Sequence, residues 1–309
     1  MIVTVTMNPA LDKTAEITQL VPGELNRLQN VRIDAGGKGI NVSKMIAVLG
    51  GQSVCTGFVG GASGRELCRR IDALQIANEF LTVENTTRTN LKVVDTDGRL
   101  TELNEPGIQV TEPEISALLC KVQLLAGKGD IVVLSGSLPY GADADIYRLF
   151  VQSLRENGCK VILDADSEAF RKALAVPPHM IKPNRFELLQ YYGLPGDTPD
   201  ERLPELCRPL LQKGMEWVVL SMGSEGAMFF TPQISVKARA LPVKIQSTVG
   251  AGDSMVGAMA YALEMGLPFE ETVRLAMAAS IGAVTTLGTN PPSLEIVQEL
   301  KEQIITQII

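Results

Sequence analysis

Residues 247–254 read Ser-Thr-Val-Gly-Ala-Gly-Asp-Ser and run into a stretch of small residues with helical periodicity, Met255–Leu263. Gly250, Ala251 and Gly252 would let backbone N–H groups point at one oxyanion, and a helix N-terminus adds partial positive charge there. Asp253 is out of place in a plain anion cradle, because a carboxylate repels a phosphate. It fits if it takes a proton from an attacking hydroxyl while the loop amides stabilise a phosphoryl group in transfer. An aspartate that only caps its helix, with glycines present for packing, fits the same residues.

A second glycine block, Ala35–Ser43, also opens a helix. Gly36 and Gly37 allow close backbone approach, while Lys38 and Asn41 supply a cation and an amide suited to phosphate or sugar hydroxyls. The spacing is neither that of a P-loop nor that of a dinucleotide fingerprint. Other polar residues fall where strands should end, the place at which open α/β sheets bind ligands. They are Asp12 after Asn8-Pro9, Ser137 within Ser135-Gly136-Ser137-Leu138-Pro139, and the run Lys182-Pro183-Asn184-Arg185-Phe186-Glu187. Asn184 and Glu187 lie three apart at a helix start and, with Asp164, could hold water-coordinated Mg²⁺. A helix cap also accounts for Asn184. Arg88 and Asn90 open a hairpin from which they could reach a phosphate and a hydroxyl, or simply be solvated. Ser221-Met222-Gly223-Ser224-Glu225-Gly226 is a further strand-to-loop glycine turn that could lie against a nucleotide. His179, the only histidine, stands beside Pro177-Pro178 and reads as a loop residue, so His-based metal or triad chemistry has little support.

These residues need a frame. Val3–Thr6, Val54–Phe58, Ile131–Leu134, Val161–Leu163 and Val218–Leu220 are short β-branched apolar runs of the kind buried on both faces of a sheet. Helical periodicity fills 39–49, 64–74, 113–125, 146–157, 202–213, 254–265, 269–286 and 294–308. Strand and helix alternating at this spacing predict right-handed βαβ units and a mostly parallel sheet covered by helices on both faces. Two regions break the rhythm. Residues 15–34 are polar and weakly alternating, and 89–103 reads as a hairpin turning at Asp95-Thr96-Asp97-Gly98. Both are expected in a small β-flap over one edge of a single domain spanning residues 1–309.

Composition agrees with a folded enzyme-sized domain. Of 309 residues 45% are hydrophobic, too many for a disordered chain, and the net charge of −7 comes without any basic run, which argues against nucleic acid. No apolar stretch is long enough to span a bilayer, and no signal-peptide pattern opens the chain. Five scattered cysteines without a C-x-x-C pair read as buried thiols in a reducing cytoplasm.

In order along the chain, Asn8-Pro9, Gly36-Gly37-Lys38-Gly39-Ile40-Asn41-Val42, Ser135–Pro139, Lys182-Pro183-Asn184 and Thr248–Ser254 resemble the motifs of the ribokinase-like sugar kinases of the PfkB carbohydrate kinase family. The resemblance covers nearly the whole chain. Gly23-Glu24-Leu25-Asn26 and Thr87–Lys92 match the branch acting on ketohexose phosphates. It implies a three-layer α/β/α sandwich with a β-sheet lid, formed here by about 12–35 and 88–104, that commonly pairs between two subunits in a homodimer. It implies ATP-dependent phosphorylation of fructose 1-phosphate, with tagatose 6-phosphate and fructose 6-phosphate as open alternatives. Asp253 would be the base and Gly250, Ala251 and Gly252 the anion hole. Asp12, Gly36, Gly37, Lys38, Asn41, Arg88, Asn90 and Ser137 would hold the sugar phosphate. Lys182, Asn184, Ser221, Gly223, Ser224 and Gly226 would line the ATP site, with Glu187 and Asp164 near Mg²⁺ through water. Backbone oxygens of Ser247 and Val249 would suit a monovalent cation such as K⁺. A non-catalytic sugar-phosphate sensor on the same scaffold would have no use for Asp253. A nicotinamide-dependent dehydrogenase would want a glycine fingerprint where Asn8-Pro9 stands.

Overall fold

The first apolar run, Ile2–Thr6 (β1), is buried at every position, as a strand between two helical layers must be. In the computed structural model, which describes residues 1–309, the chain leaves β1 for two strands of a small sheet, Ala10–Ile17 (β2) and Gln29–Gly36 (β3). It returns as helix Lys38–Val48 (α1) and strand Ser53–Gly60 (β4), then Gly61–Ala73 (α2) and the short strands Ala77–Asn78 (β5) and Leu81–Val83 (β6). A second excursion forms Arg88–Asp95 (β7) and Leu100–Asn104 (β8), paired antiparallel across the turn that the Asp and Gly residues predict.

From there the alternation is regular. Glu112–Leu125 (α3) leads to Ile131–Ser135 (β9), Ile146–Glu156 (α4) to Lys160–Asp164 (β10), and Ser167–Ala173 (α5) to Met180–Ile181 (β11). Arg185–Tyr191 (α6) and Leu203–Gln212 (α7) precede Trp217–Ser221 (β12). A hairpin of Ala227–Phe230 (β13) and Ser235–Ala238 (β14) follows, then helices Ala251–Met265 (α8), Phe269–Ala283 (α9) and Leu294–Gln303 (α10), and a last strand Thr306–Ile308 (β15).

The large sheet runs β15-β14-β13-β12-β11-β10-β9-β1-β4-β5, with β6 also on β4. Pairing is parallel from β12 through to β5 and antiparallel from β12 outward to β15. Alternate residues feed opposite cores. Val3, Val5, Val132 and Leu134 join one cluster with Leu118, Tyr147, Phe150 and Leu210 from α3, α4 and α7. Ile2, Ile131 and Val133 face the other, with Met45 of α1, Met259 of α8 and Ala276 of α9. The result is the expected three-layer α/β/α sandwich.

Two helical expectations run too long. The stretch 294–308 is helical only to Gln303; Ile304 is extended and buried in the second core, and Thr306–Ile308 pairs with β14. The stretch 269–286 stops at Ala283, where Thr285 and Thr286 turn their hydroxyls onto the carbonyls of Gly282 and Ala283 at 2.7 and 2.8 Å. The β13–β14 hairpin was not among the sequence expectations.

The chain order reverses at β1, whose neighbours β4 and β9 lead away in opposite directions. A crevice therefore opens beyond the carboxyl ends of β1 and β9. Helices α1 and α8 must approach closely to flank it. A Cβ on Gly257 of α8 would lie 2.8 Å from both the Val42 carbonyl oxygen and Met45 Cβ of α1. Gly257→Val is therefore expected to lower unfolding stability by about 1–3 kcal/mol in urea titration, since the backbone of α1 cannot move aside cheaply.

Candidate active site

A cavity of about 270 Å³ sits at this crevice, and ten of the residues singled out by sequence line it: Asp12, Gly37, Lys38, Asn41, Arg88, Asn90, Ser137, Val249, Gly250 and Asp253. They come from the small sheet, the two glycine-opened helices and the loop after β9. Thr6, Asn8, Lys92, Ser135, Gly136, Asp166 and Thr289 also line it; of these the sequence names Asn8, Lys92, Ser135 and Gly136 within motifs but gives none of the seven a site role. Thr6, Asn8 and Ser135 could have been found from their places at or just past the ends of β1 and β9.

Both helix starts are bare. Gly37 precedes α1 and Gly250 precedes α8 with no side-chain cap at either, so their first-turn N–H groups lack the usual hydroxyl or carboxylate partner. Gly250 is left-handed (φ 86°). Gly37 (φ 122°) lies so close to β1 that a Cβ there would stand 2.6 Å from the Thr6 methyl. Two uncapped helix N-termini converging on one cavity make a strong anion site.

The charges are arranged around two buried carboxylates. Asp164, at the end of β10, has Lys182 Nζ at 3.3 Å and Lys38 Nζ at 3.7 Å. Burial would push its carboxyl up, but Lys182 and Lys38 together hold it below the ordinary range. Asp164 in turn holds the Lys38 ammonium well above its usual value. Asp253 differs. Burial raises its carboxyl, the charge of Asp164 raises it further, and the Asn41 amide, donating to Oδ2 at 2.8 Å, opposes the rise together with Lys38 and Lys182. A carboxylate raised in this way is a better proton acceptor than a solvated one.

The small sheet supplies the opposite wall. In the parallel β2–β7 pair Asp12 faces Asn90, and Lys92, two residues on, lies on the same face. Asn90 Nδ2 donates to Asp12 Oδ1 at 3.1 Å and Lys92 Nζ to Oδ2 at 2.9 Å. Arg88, pushed down by burial, donates to the carbonyls of Asn8 at 3.0 Å and Glu105 at 3.1 Å. Asn8 Nδ2 ties the loops together through Leu138 O at 3.1 Å, Pro106 O at 3.2 Å and the Ser137 hydroxyl at 3.4 Å. The buried atoms Thr6 Oγ1, Asn8 Oδ1, Arg88 Nε, Asn90 Oδ1 and Ser135 Oγ have no hydrogen-bond partner in the protein. Unmet polar atoms are costly in a core. Of ten such atoms in the protein, these five belong to residues of one cavity, which fits a ligand rich in hydroxyls.

Lys182, Asp164, Ala251 and Gly252 stand behind the cavity, and Lys182 Nζ would be 3.1 Å from a Cβ on Gly252. The remaining residues gather farther along the sheet edge. Asn184 bridges to Ser221 beside β12, and Gly223, Ser224 and Gly226 follow as a tight turn into β13. Asn184 and Glu187 cap their own helix reciprocally, each bond 2.8 Å, and burial raises the Glu187 carboxyl. No three His, Cys, Asp or Glu side chains converge as a metal site. Gly36 lies against the Asp12 carboxylate. The Val249 N–H donates to the Ser247 hydroxyl oxygen at 3.2 Å, while the carbonyls of both residues accept no hydrogen bond.

The model of the pfkB family carbohydrate kinases matches residues 5–296. Among curated proteins, 1-phosphofructokinase of Vibrio cholerae is 35% identical over 98% of this chain and 95% of its own length. The 1-phosphofructokinase of Rhodobacter capsulatus is 36% identical over 95% and 93%. The crystal structure of Escherichia coli phosphofructokinase-2 in complex with potassium superposes with a TM-score of 0.93 over 98% of each chain, at 31% identity.

The raised Asp253 carboxyl has a stability consequence. A folded-state value above the unfolded one penalises the charged form, so folding loses free energy at neutral pH and recovers it as pH falls through the folded value. Asp253→Asn is expected to be more stable than wild type by about 0.5–2 kcal/mol at pH 7.5. In urea titrations the difference should close on acidification; an equal difference at every pH would contradict this electrostatic origin.

Proposed function

The chain belongs to the pfkB family of carbohydrate kinases, and from that premise we propose that it transfers the γ-phosphoryl group of ATP to fructose 1-phosphate, giving fructose 1,6-bisphosphate and ADP. The observation that carries this reading is the cavity itself. It has unpartnered polar atoms on five residues, two bare helix starts, and one raised carboxylate in the same lining.

In this reading the sugar lies against the small sheet. Asp12, Asn90 and Asn41 meet hydroxyls, and Arg88, Lys38 and Ser137 meet the 1-phosphate. The free hydroxyl points at Asp253. As its oxygen bonds to the γ-phosphorus, the bond from that phosphorus to the β,γ-bridging oxygen breaks and the hydroxyl proton passes to Asp253. The amides of Gly250, Ala251 and Gly252 face the transferring group, where oriented donors act most strongly. Lys38 and Lys182, charged and held by Asp164, stand ready to turn toward phosphate oxygens.

ATP would lie along Lys182, Asn184, Ser221, Gly223, Ser224 and Gly226. Mg²⁺ fits as an ion arriving with the triphosphate and held through water by Glu187 and Asp164, since the protein offers few hard oxygen donors of its own. When bound it would neutralise charge on the phosphates. The unpartnered carbonyls of Ser247 and Val249 suit K⁺. The small sheet acts as a lid that excludes water. Its outer strands expose Val31, Leu100 and Leu103, which supports pairing with a second copy in a homodimer. The substrates and five unpaired thiols suit the cytoplasm. No helix is long and apolar enough to cross a membrane.

An ADP-release assay with MgATP on fructose 1-phosphate, fructose 6-phosphate and tagatose 6-phosphate tests the reading. Fructose 1-phosphate should have the highest kcat/KM; a different preferred sugar corrects the acceptor, and no turnover on any of them overturns the reading. Asp253→Asn should lower kcat by roughly 10²–10⁴-fold with little change in KM. Lys38→Ala and Arg88→Ala should chiefly raise KM for the sugar phosphate, and a rise confined to the KM for ATP would place the acceptor wrongly.

A further inference from the structure

Lys44 is a lysine buried on α1, 5% exposed, one turn beyond Asn41. At i and i+3 the two side chains share a helix face. Its Nζ donates to the Ala35 carbonyl, the strand end preceding the first glycine block, and to Asn41 Oδ1 at 3.3 Å. The other end of the same amide, Asn41 Nδ2, donates to Asp253 Oδ2 at 2.8 Å. A chain of hydrogen bonds thus runs from β3 through α1 to the first turn of α8.

The chain has a direction. Lysine has donors only, a carboxylate accepts only, and an amide has one end of each kind. With Lys44 on one side and Asp253 on the other, a single orientation of the Asn41 amide satisfies both. Turned over, its carbonyl would face the carboxylate and its NH₂ the ammonium, two repulsive contacts in a buried place.

We propose that Lys44 is a positioning residue for phosphoryl transfer: by holding the Asn41 carbonyl it fixes the amide to donate to Asp253 Oδ2, which leaves Oδ1 to take the proton of the attacking hydroxyl. Asp253 Oδ1 accepts no hydrogen bond in the structure, and Asp253 lines the cavity. Lys44 does not line that cavity, so it acts only through Asn41. The proposal rests on Asp253 being the base.

The charged groups around the pair set the expected sign. Asp253 feels Asp164 from β10, Lys38 from α1 and Lys182 from the loop after β11. Burial holds the Lys44 ammonium below its ordinary value, against the raising charges of Asp34, Asp12, Cys55 and Asp253. The hydrogen bond from Asn41 favours the charged form of Asp253, so loosening it moves the carboxyl upward and the base becomes available only at higher pH.

The test measures kcat against pH for wild type, Lys44→Met, Lys44→Arg, Asn41→Ala, the Lys44→Met/Asn41→Ala double variant and Asp253→Asn, with MgATP and the preferred sugar phosphate saturating. Lys44→Met should lower kcat about tenfold, the size of one hydrogen bond to a charged group, and shift the acid limb to higher pH. Lys44→Arg should restore the limb. Asn41→Ala should shift the limb the same way, and the double variant should show no more shift than Asn41→Ala alone. A wild-type limb in Lys44→Met overturns the proposal, as does a double variant whose shifts add. If Lys44→Met does not fold, an unmoved limb in Asn41→Ala overturns it equally. An active Asp253→Asn would defeat the underlying reading as well, whereas an inactive one beside an unaffected Lys44→Met defeats the proposal alone.

Discussion

Everything at the cleft depends on two helices lying close enough for Asn41 of α1 to touch Asp253 of α8. That contact is possible because Gly257 presents no side chain where α8 meets Val42 and Met45. The same closeness brings two uncapped N-termini to one cavity, where their partial positive charges add. Packing in the second core, the one containing Met45, Met259 and Ala276, thereby determines electrostatics some distance away at the helix starts.

The two buried carboxylates divide the labour through their neighbours. Asp164 is surrounded by ammonium groups and stays ionised, while Asp253 receives one amide and the repulsion of Asp164. Identical side chains within one site thus have opposite shifts, a pattern that separates a counter-ion from a proton acceptor. In the free protein Asp164 occupies the lysines. In the proposed reaction the triphosphate would offer them more negative charge, so they could change partners without facing an uncompensated state.

Much of this was legible in the sequence. Glycine blocks at 36–39 and 250–252 mark helix starts because few other residues accept such backbone geometry or such close approach, and the strand ends were visible as limits of β-branched runs. Lys92 was not legible as a wall residue because its place depends on the parallel register that sets Asp12 opposite Asn90. Register between strands 78 residues apart leaves no local trace. The antiparallel extension was missed for a similar reason: 304–308 continues a helical pattern in apolar spacing, and only pairing with β14 makes it a strand. Asn184 and Glu187 show how two readings can share residues, since their reciprocal cap orients the side chains that sequence reasoning set near a metal.

The strands of the small sheet enter and leave the body at one end, the root of the sheet, and β3 also meets it partway out, through Ile33 against α2 and Arg32 on the Leu287 carbonyl. Its four strands start or finish at Ala10, Gly36, Arg88 and Asn104, and the register aligns Ala10 with both Gly36 and Arg88, and Asn90 with Asn104. The far end, at the last residues of β2 and β7, lies about 24 Å from this root. Asp12, Arg88 and Asn90 stand at or near this root. A rotation that swings the tip through many ångströms displaces those side chains by little. The far ends of the strands can therefore shift with little displacement of the three residues that line the cavity.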